Sequence, residues 1–188
     1  YAVIRIDEID EGSHASFGDM IVLAEALLED VCAAIGIANH STLHQLTGAD
    51  CVGTIAAHPL ADHGYEHDVP LFHADYVTTE QGTGFVHIAP GHGVEDYELA
   101  HLTHGVPVPD TVAEDGRIMD HLPLFAGMHV LRDNLKIAEM IAERGGVIGI
   151  GKLVHSYPHS WRSKAPLVYR NTSQWFVSME SHGLRDTA

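Results

Sequence analysis

The residues best suited to chemistry lie in one run, GTGFVHIAPGHGVEDY, at positions 82–97. A strand is predicted over residues 84–89, in which side-chain alternation turns His87 away from its aliphatic neighbours. A short helix over residues 94–104 is predicted to follow, with Asp96 in its first turn. His87 and Asp96 could therefore converge at one strand-to-helix corner, which would place an imidazole and a carboxylate in one site.

The glycines of this run indicate a flexible, open stretch of backbone. Gly91 and Gly93 flank His92 in a predicted elbow, where a substrate backbone or a ribose could approach closely. Each acidic or imidazole side chain also has a purely structural explanation. Asp96 would complement the positive end of a helix, and His87 could be a hydrogen-bonded histidine on a half-buried strand. Spacing alone leaves both explanations open and favours the structural one.

Other chemistry-bearing motifs are incomplete in this sequence. Gly82-x-Gly84 lacks the third glycine and the helix of a dinucleotide-binding fingerprint, and neither a P-loop nor a G-x-S-x-G motif occurs. Zinc needs about three convergent protein ligands, and Pro158 disfavours the helix that would align the last of the histidine pairs. No metal is predicted, and a His-based metal hydrolase is kept as an alternative. The pairs with metal-ligand spacing are His63 and His67, His101 and His104, and His155 and His159.

The elements that must position these residues are predicted from periodicity. Helices are predicted over residues 18–35 and 132–144, the first with a capping box between Ser16 and Asp19 and a stop at Gly36, the second ended by a Gly-Gly pair. The predicted class is mixed α and β, with strands dominating. Strands are predicted at residues 2–6, 51–56, 84–89, 147–154, 167–170 and 174–179, and an irregular loop at residues 58–73.

Composition limits the class of protein. A chain of 188 residues with 45% hydrophobic content fits one globular domain, and no apolar run approaches the roughly 20 residues needed to cross a bilayer. The 26 acidic and 10 basic residues give a net charge of −16, which argues against a broad phosphate-binding surface. Cys32 and Cys51 form no C-x-x-C pair, so a reducing compartment is favoured. The chain begins at Tyr1 without a leader, so it is expected to be an excised piece.

Residues 82–97 resemble the G-T-G-x-V-H-x-A-P-x-H-G-x-x-D-[YF] run of the isoleucyl-tRNA synthetase editing domain, the connective peptide inserted into the synthetic core. A second match, HSYPHSWR at residues 155–162, resembles the same family's return path to that core, together with KAPLVYR and QWFVSM farther on. Valyl and leucyl relatives typically have an A-H-D-like sequence where this chain has Gly91-His92-Gly93. The isoleucyl family is therefore preferred, although Ser160 stands where a cysteine is common.

The resemblance implies an α+β, β-rich editing domain of the class I synthetase type, with a barrel-like sheet and flanking helices. It would occupy residues 1–154, and residues 155–188 would form the return segment. The family's threonine-rich stretch, one wall of the pocket, would lie upstream of Tyr1, so weak or no activity is expected of these residues alone. Neither an H-I-G-H nor a K-M-S-K-S motif occurs, so no amino-acid activation is expected. ATP and magnesium would belong to the parent core, and no cofactor to this piece.

The resemblance also implies a reaction, the hydrolysis of valine misattached to tRNA(Ile). Asp96 would hold the α-ammonium group of the substrate, and His87 would contact the terminal ribose near the scissile ester. Whether His87 also helps a water or a hydroxyl lose its proton stays open. Lesser substrate contacts would come from Thr83, Gly84, Gly91, His92 and Gly93.

The expected partners follow from the same resemblance. They are the acceptor end of valine-charged tRNA(Ile) and the remainder of the synthetase chain, with no membrane. A monomer in the cytoplasm, or in an organellar matrix, is expected. The remaining alternative is a module that binds the acceptor end of RNA without hydrolysing anything.

Overall fold

The structure is a computed structural model that describes residues 1–151, 154 and 156–187. The strands are β1 (Ala2–Ile9), β2 (Met20–Leu23), β3 (Ile37–Gln45), β4 (Ile55–Ala57) and β5 (Asp68–Pro70). The α-helices are α1 (Leu28–Ile35), α2 (Gly48–Cys51), α3 (Val94–Asp96), α4 (Asn134–Ala142) and α5 (Leu184–Thr187). Helix α3 continues as a π-helix over Tyr97–Thr103, and 3-10 helices lie at Glu25–Leu27, Ala61–His63 and Ser181–Gly183.

The main sheet has the order β2-β1-β3, with β1 antiparallel to both neighbours. Alternation along β1 directs Ala2, Ile4 and Ile6 into the interior, where all three are buried. Leu23 of β2 and Cys32 of α1 complete much of this core. Burying each large aliphatic side chain stabilises the fold by about 1.5–3 kcal/mol. Burial also raises the pKa of the Cys32 thiol, which favours its protonated, unreactive form.

The predicted helix over residues 18–35 is wrong in its first part. Residues 20–23 form β2, and the α-helix begins only at Leu28; it ends at Gly36 as predicted, with a left-handed φ of 72°. The backbone N–H of Ser16 does donate to Oδ2 of Asp19 at 2.9 Å, but this contact closes a turn ahead of a strand. Pairing of β2 with β1 overrides the helical periodicity.

The longest strand, β3, was not predicted. Its sequence is mostly polar and only Ile37 is buried, so the apolar alternation that marks a strand is missing. It forms because its backbone pairs with β1 over most of its length, with three register shifts. Strand pairing between distant segments supplies what the local pattern lacks.

The other predicted elements divide into confirmed and wrong ones. Strand β1 is confirmed, as are the helix after residue 94 and helix α4, which ends just before Gly145 with its φ of 74°. The strand at 51–56 is wrong over most of its length, because α2 and a turn precede β4, and the loop at 58–73 contains β5. No strand occurs at residues 84–89, 147–151, 167–170 or 174–179, where the backbone finds no continuous partner; positions 152 and 153 lie outside the described residues.

The mixed α and β class is confirmed, but the predicted dominance of strands and the barrel-like sheet are not, since helices hold more of the described residues than strands do. Within the described residues the strands form one sheet of three strands and one ribbon of two, β4 with β5, and neither closes on itself. The division at residue 154 stays a prediction. None of the helices in the described part of the chain has the length and apolar character that crossing a membrane demands.

Candidate functional site

The start of the glycine-rich run is anchored to two residues that flank the main sheet, Tyr1 before β1 and Ala24 after β2. The N–H of Ala24 donates to the carbonyl of Thr83 at 2.8 Å, and the hydroxyl of Tyr1 donates to the carbonyl of Gly84 at 2.7 Å. The rings of Tyr1 and Phe85 lie with their centroids 4.8 Å apart. Gly84 is buried with a φ of 81°, and a Cβ there would lie 2.5 Å from the Cβ of Ala24. Thr83 and Gly84 therefore fix where the run begins.

The second half of the run forms a corner that holds Asp96. The N–H of His92 donates to the carbonyl of Ala89 at 2.9 Å, which closes a turn. The N–H of Tyr97 donates to the carbonyl of Gly93 at 3.0 Å, which begins the helix. Across the corner, the N–H of Ala89 donates to Oδ2 of Asp96 at 2.9 Å. The half-buried carboxylate is thus oriented by the backbone, and its Oδ1 has no hydrogen-bond partner among the described residues.

The absence of a side chain at Gly93 leaves space for the carboxylate of Asp96. A Cβ added at Gly93 would lie 3.0 Å from Oδ2 of Asp96, although the φ of −145° suits any residue. Close approach, and not backbone conformation, therefore favours glycine there. Gly91 is different, because a Cβ at that position would meet only ordinary contacts, the nearest 3.5 Å away at the carbonyl oxygen of Pro109.

The ring of His92 is fully engaged by the protein. Its Nδ1 lies 2.7 Å from the carbonyl oxygen of Tyr169, and its Nε2 lies 2.7 Å from Oγ1 of Thr111. Both contacts cross long distances in sequence, so the corner is joined to two other segments. The predicted contact of His92 with substrate is not tested by this geometry and stays a prediction.

His87 is exposed, and its charge acts on His58, which belongs to a cluster of rings. The ring of His58 stacks on Tyr65 at 5.0 Å between centroids and lies 4.8 Å from the ring of His67. Burial, followed by the charges of His67 and His87, lowers the pKa of His58. No hydrogen bond or ion pair joins His87 to Asp96, both of which are described. The structure brings the two residues onto one run but not into contact.

Sequence reasoning missed Tyr76. Burial, and then the charges of Asp96 and Glu95, raise the pKa of the Tyr76 phenol, so the phenol lies near the first turn of α3. No sequence signal separates this tyrosine from others in loops, because its position depends on how the irregular chain around it folds. The π-helix that begins at Tyr97 is a second feature of this region, and π-helical turns are frequent at functional sites.

Other possible sites are less developed. Within the described residues, no group of three or more His, Cys, Asp or Glu side chains is placed to hold a metal ion. The pair of His155 and His159 lies partly outside those residues. Two shallow cavities lie between the turn at residues 10–14, the end of α1 and helix α4, away from the run at 82–97.

Comparison with known proteins supplies the family. The family model described as "Leucyl-tRNA synthetase, editing domain" matches residues 25–129, more than half of the chain and including the whole run at 82–97. Isoleucine--tRNA ligase of Pelagibacter ubique is 47% identical over 188 residues, which is 100% of this chain and 20% of that protein. The ligases of Gluconobacter oxydans and Caulobacter vibrioides are each 42% identical over 96% of this chain and 20% of their own length.

The chain thus spans about a fifth of the length of the curated relatives it matches, 20% in each of these three. The matched region contains the anchored glycine run, the corner that holds Asp96 and the tyrosine beside it. The chain belongs to the family of aminoacyl-tRNA synthetase editing domains, and its sequence corresponds to that domain of the isoleucine--tRNA ligases.

Proposed function

We propose that this chain is the proofreading domain of an isoleucyl-tRNA synthetase and that it hydrolyses valine misattached to tRNA(Ile). The observation that carries the proposal is the carboxylate of Asp96, which the N–H of Ala89 orients at a glycine-rich corner while Oδ1 stays open. An oriented carboxylate with one open oxygen is suited to a cationic group. The α-ammonium group of an aminoacyl ester is such a cation, and uncharged tRNA lacks it.

The role proposed for Asp96 is positioning. An ion pair between its Oδ1 and the α-ammonium group would fix the ester carbonyl for attack by water. The water oxygen adds to the carbonyl carbon, the bond from that carbon to the ribose oxygen breaks, and the ribose oxygen takes up a proton. Valine and intact tRNA are the products. Burial, and then the charges of Asp96 and Glu95, raise the pKa of the Tyr76 phenol, and the protonated phenol is proposed to donate a hydrogen bond in this site.

His87 is proposed to contact the terminal ribose. Its exposed ring is available to a ligand, and its charge acts on His58, whose ring stacks on Tyr65. A neutral imidazole can accept a hydrogen bond from a ribose hydroxyl or from water. Thr83 and Gly84 would act indirectly, because their carbonyl groups tie the run to the two residues that flank the main sheet.

These residues alone are proposed to hydrolyse Val-tRNA slowly. His87 is exposed and Asp96 is half-exposed, and neither lines the two shallow cavities beside α1 and α4. A site that excludes little water forms weaker ion pairs than an enclosed one. The open corner is therefore expected to bind the acceptor end weakly unless the rest of a synthetase covers it.

The proposed partners are that remaining synthetase chain and the acceptor end of tRNA. Support for the first comes from the relatives, each about five times longer than the matched segment, and from the exposed aromatic side chains Trp161, Trp175 and Phe176. A net charge of −16 suits a narrow contact with the end of an RNA better than a long phosphate track.

The test is deacylation of Val-tRNA(Ile) by a full-length isoleucyl-tRNA synthetase that carries this segment. Asp96→Ala is expected to lower the rate about 100-fold or more, because the ester loses its anchor. Glu95→Ala is the matched control, since it removes the neighbouring, exposed carboxylate and is expected to leave the rate within about twofold. Deacylation at the wild-type rate by the Asp96 variant would show that this carboxylate does not position the substrate.

Binding must be measured on the same proteins. If wild-type protein binds the charged acceptor end but releases no valine, the domain is an RNA-binding module and the proposed hydrolysis is wrong. Chelator treatment of the wild-type enzyme is expected to leave deacylation unchanged, and its loss would favour a metal hydrolase instead.

A further inference from the structure

The ring of His92 sits where three segments meet. Nδ1 contacts the carbonyl oxygen of Tyr169, and Nε2 contacts the hydroxyl of Thr111, both at 2.7 Å. A carbonyl oxygen only accepts hydrogen bonds, so Nδ1 must carry a proton, and in the neutral ring Nε2 then accepts from the hydroxyl of Thr111. The two contacts thus specify one tautomer and one orientation of the ring.

Further contacts hold the same segments together. The guanidinium of Arg170 donates from Nη1 to the carbonyl of Val112 at 3.4 Å, and its Nη2 lies 3.6 Å from a carboxylate oxygen of Glu114. The side chain of Arg170 is mostly covered, whereas that of Glu114 is exposed. A Cβ added at Gly91 would lie 3.9 Å from Asn171, so the residues beside Arg170 pass directly over the corner.

The corner in turn holds Asp96. The His92 N–H donates to the carbonyl of Ala89, and the N–H of that same Ala89 donates to Oδ2 of Asp96. A shift of the His92 ring would therefore act, through the His92 N–H and the Ala89 carbonyl, on the residue whose own N–H orients the carboxylate. Since a displacement of about 1 Å can lower a rate about 100-fold, this linkage has a catalytic consequence.

We propose that His92 is a positioning residue: its ring holds the segments at residues 111–114 and 169–171 against the corner and so keeps Asp96 oriented for the reaction. We call the contacts of His92 and Arg170 with these segments the clasp. This inference rests on the proposed hydrolysis of Val-tRNA. Residues 169–171 belong to the predicted return segment, so the clasp makes that segment part of the editing site. In this proposal His92 acts through Ala89, in place of the substrate contact predicted from the sequence.

The test compares variants of the clasp in a full-length synthetase that carries this segment. His92→Ala, Thr111→Val and Arg170→Ala are each expected to lower kcat for Val-tRNA deacylation about tenfold or more, with KM changed less than about twofold. The matched control is His121→Ala, which removes an exposed histidine. His92→Gln is expected to recover much of kcat, because its amide can both donate and accept.

A double variant shows whether His92 and Arg170 act through one shared linkage or independently of each other. The combination of His92→Ala and Arg170→Ala is expected to be little worse than either alone, since each breaks the same linkage. Fully additive losses would overturn the proposal. So would a raised KM with unchanged kcat in His92→Ala alone, which is the result expected if His92 binds substrate directly.

Amide hydrogen exchange gives a readout that does not depend on activity. His92→Ala and Arg170→Ala are expected to speed exchange in residues 88–97, and His121→Ala is not; unchanged exchange in the first two would overturn the clasp. If Asp96→Ala deacylates normally, the proposed function fails whatever the exchange shows. If Asp96→Ala is inactive while His92→Ala is normal in rate and exchange, only the role of His92 fails.

Discussion

Gly84 combines two constraints at one residue. Its φ of 81° lies in the left-handed region, and a Cβ would lie 2.5 Å from Ala24, closer than side chains approach. Gly82, two residues earlier, has a similar φ of 70° but open space around its Cα. The pair therefore separates the cost of backbone conformation from the cost of overlap.

Gly84→Ala is expected to lower the free energy of unfolding by about 2–4 kcal/mol, because it adds steric overlap to the left-handed strain. Gly82→Ala is expected to cost only about 1 kcal/mol, from the backbone alone. Urea unfolding of both variants measures the difference. Equal losses would mean that Ala24 moves aside freely and that the anchor at residue 84 is loose.

Protonation of His58 would break a hydrogen bond that its ring accepts. Its Nδ1 accepts a hydrogen bond from the N–H of Leu60 at 3.0 Å, which requires an unprotonated nitrogen. Burial, and the charges of His67 and His87, lower its pKa from the ordinary 6.5. The free energy that the neutral His58 ring contributes to folding is therefore fully present above about pH 6.5. It is lost as the pH falls through the lower pKa that His58 has in the folded state.

His58→Asn is expected to flatten part of this pH dependence, because Oδ1 of asparagine can accept the same N–H without titrating. The measurement is the urea midpoint at about pH 7.5 and at about pH 5.5, values on either side of the ordinary histidine pKa. The wild type should lose more stability on acidification than the variant, and an exposed control, His121→Asn, should behave as the wild type. An unchanged drop in His58→Asn would contradict the argument.

At the scale of elements, two substitutions can show whether residues 20–23 form a strand, as in the structure, or a helix, as the periodicity predicts. In a strand, Met20 and Leu23 point to opposite faces, and their side chains are 66% and 1% exposed. In a helix, positions three apart share a face, so both would face the core. Leu23→Ala is expected to destabilise by about 2–5 kcal/mol and Met20→Ala by less than about 0.5 kcal/mol. Comparable losses in urea unfolding would favour the helix.

Local pattern predicts where side chains go better than it predicts backbone conformation. The apolar residues whose helical spacing predicts a helix over 18–35, at positions 21, 24, 28, 31 and 35, do face the interior, although the first part of that segment is a strand. Ala24 is buried, and the other members pack against the core: Ile21, Leu28, Val31 and Ile35. The pairing partner decides the conformation, and it lies elsewhere in the chain, in β1. β3 was missed for the same reason, since its polar sequence forms a strand only beside β1.

The candidate site was predictable in part. The turn between Ala89 and Gly93 and the helix that begins near Asp96 follow from local rules of chain stiffness and capping, and the structure shows them. The strand predicted before that turn, and the meeting of His87 with Asp96, are not found among the described residues. The contacts of His92 with Thr111 and Tyr169 span 19 and 77 residues, and no local rule reaches that far. Tyr76 could not be predicted for the same reason, because only the folded chain brings its phenol within range of the charge of Asp96.

At the scale of the whole molecule, apolar surface is unevenly distributed. The main sheet and α1 enclose the core. In contrast, several large apolar side chains after residue 153 are strongly exposed: Val154, Trp161, Trp175, Phe176 and Val177. Three of these residues, at positions 175–177, follow one another in the chain, and an exposed apolar group of this kind often marks an interface. The proposed occupant is the remainder of the synthetase, which accounts for about four-fifths of the relatives' length, since the chain covers 20% of each.

Trp175 and Phe176 allow this proposal to be tested in two contexts. Replacing both with serine in the 188-residue chain is expected to change the free energy of unfolding by less than about 0.5 kcal/mol, since both rings are exposed. In a full-length synthetase the same change should destabilise the junction by about 3–6 kcal/mol, because each buried aromatic contributes about 1.5–3 kcal/mol. Phe125→Ser is the control, since Phe125 is buried and its loss should destabilise both proteins. Equal effects of the double serine variant in the two proteins, measured by urea unfolding, would mean that the rest of the synthetase does not cover these rings.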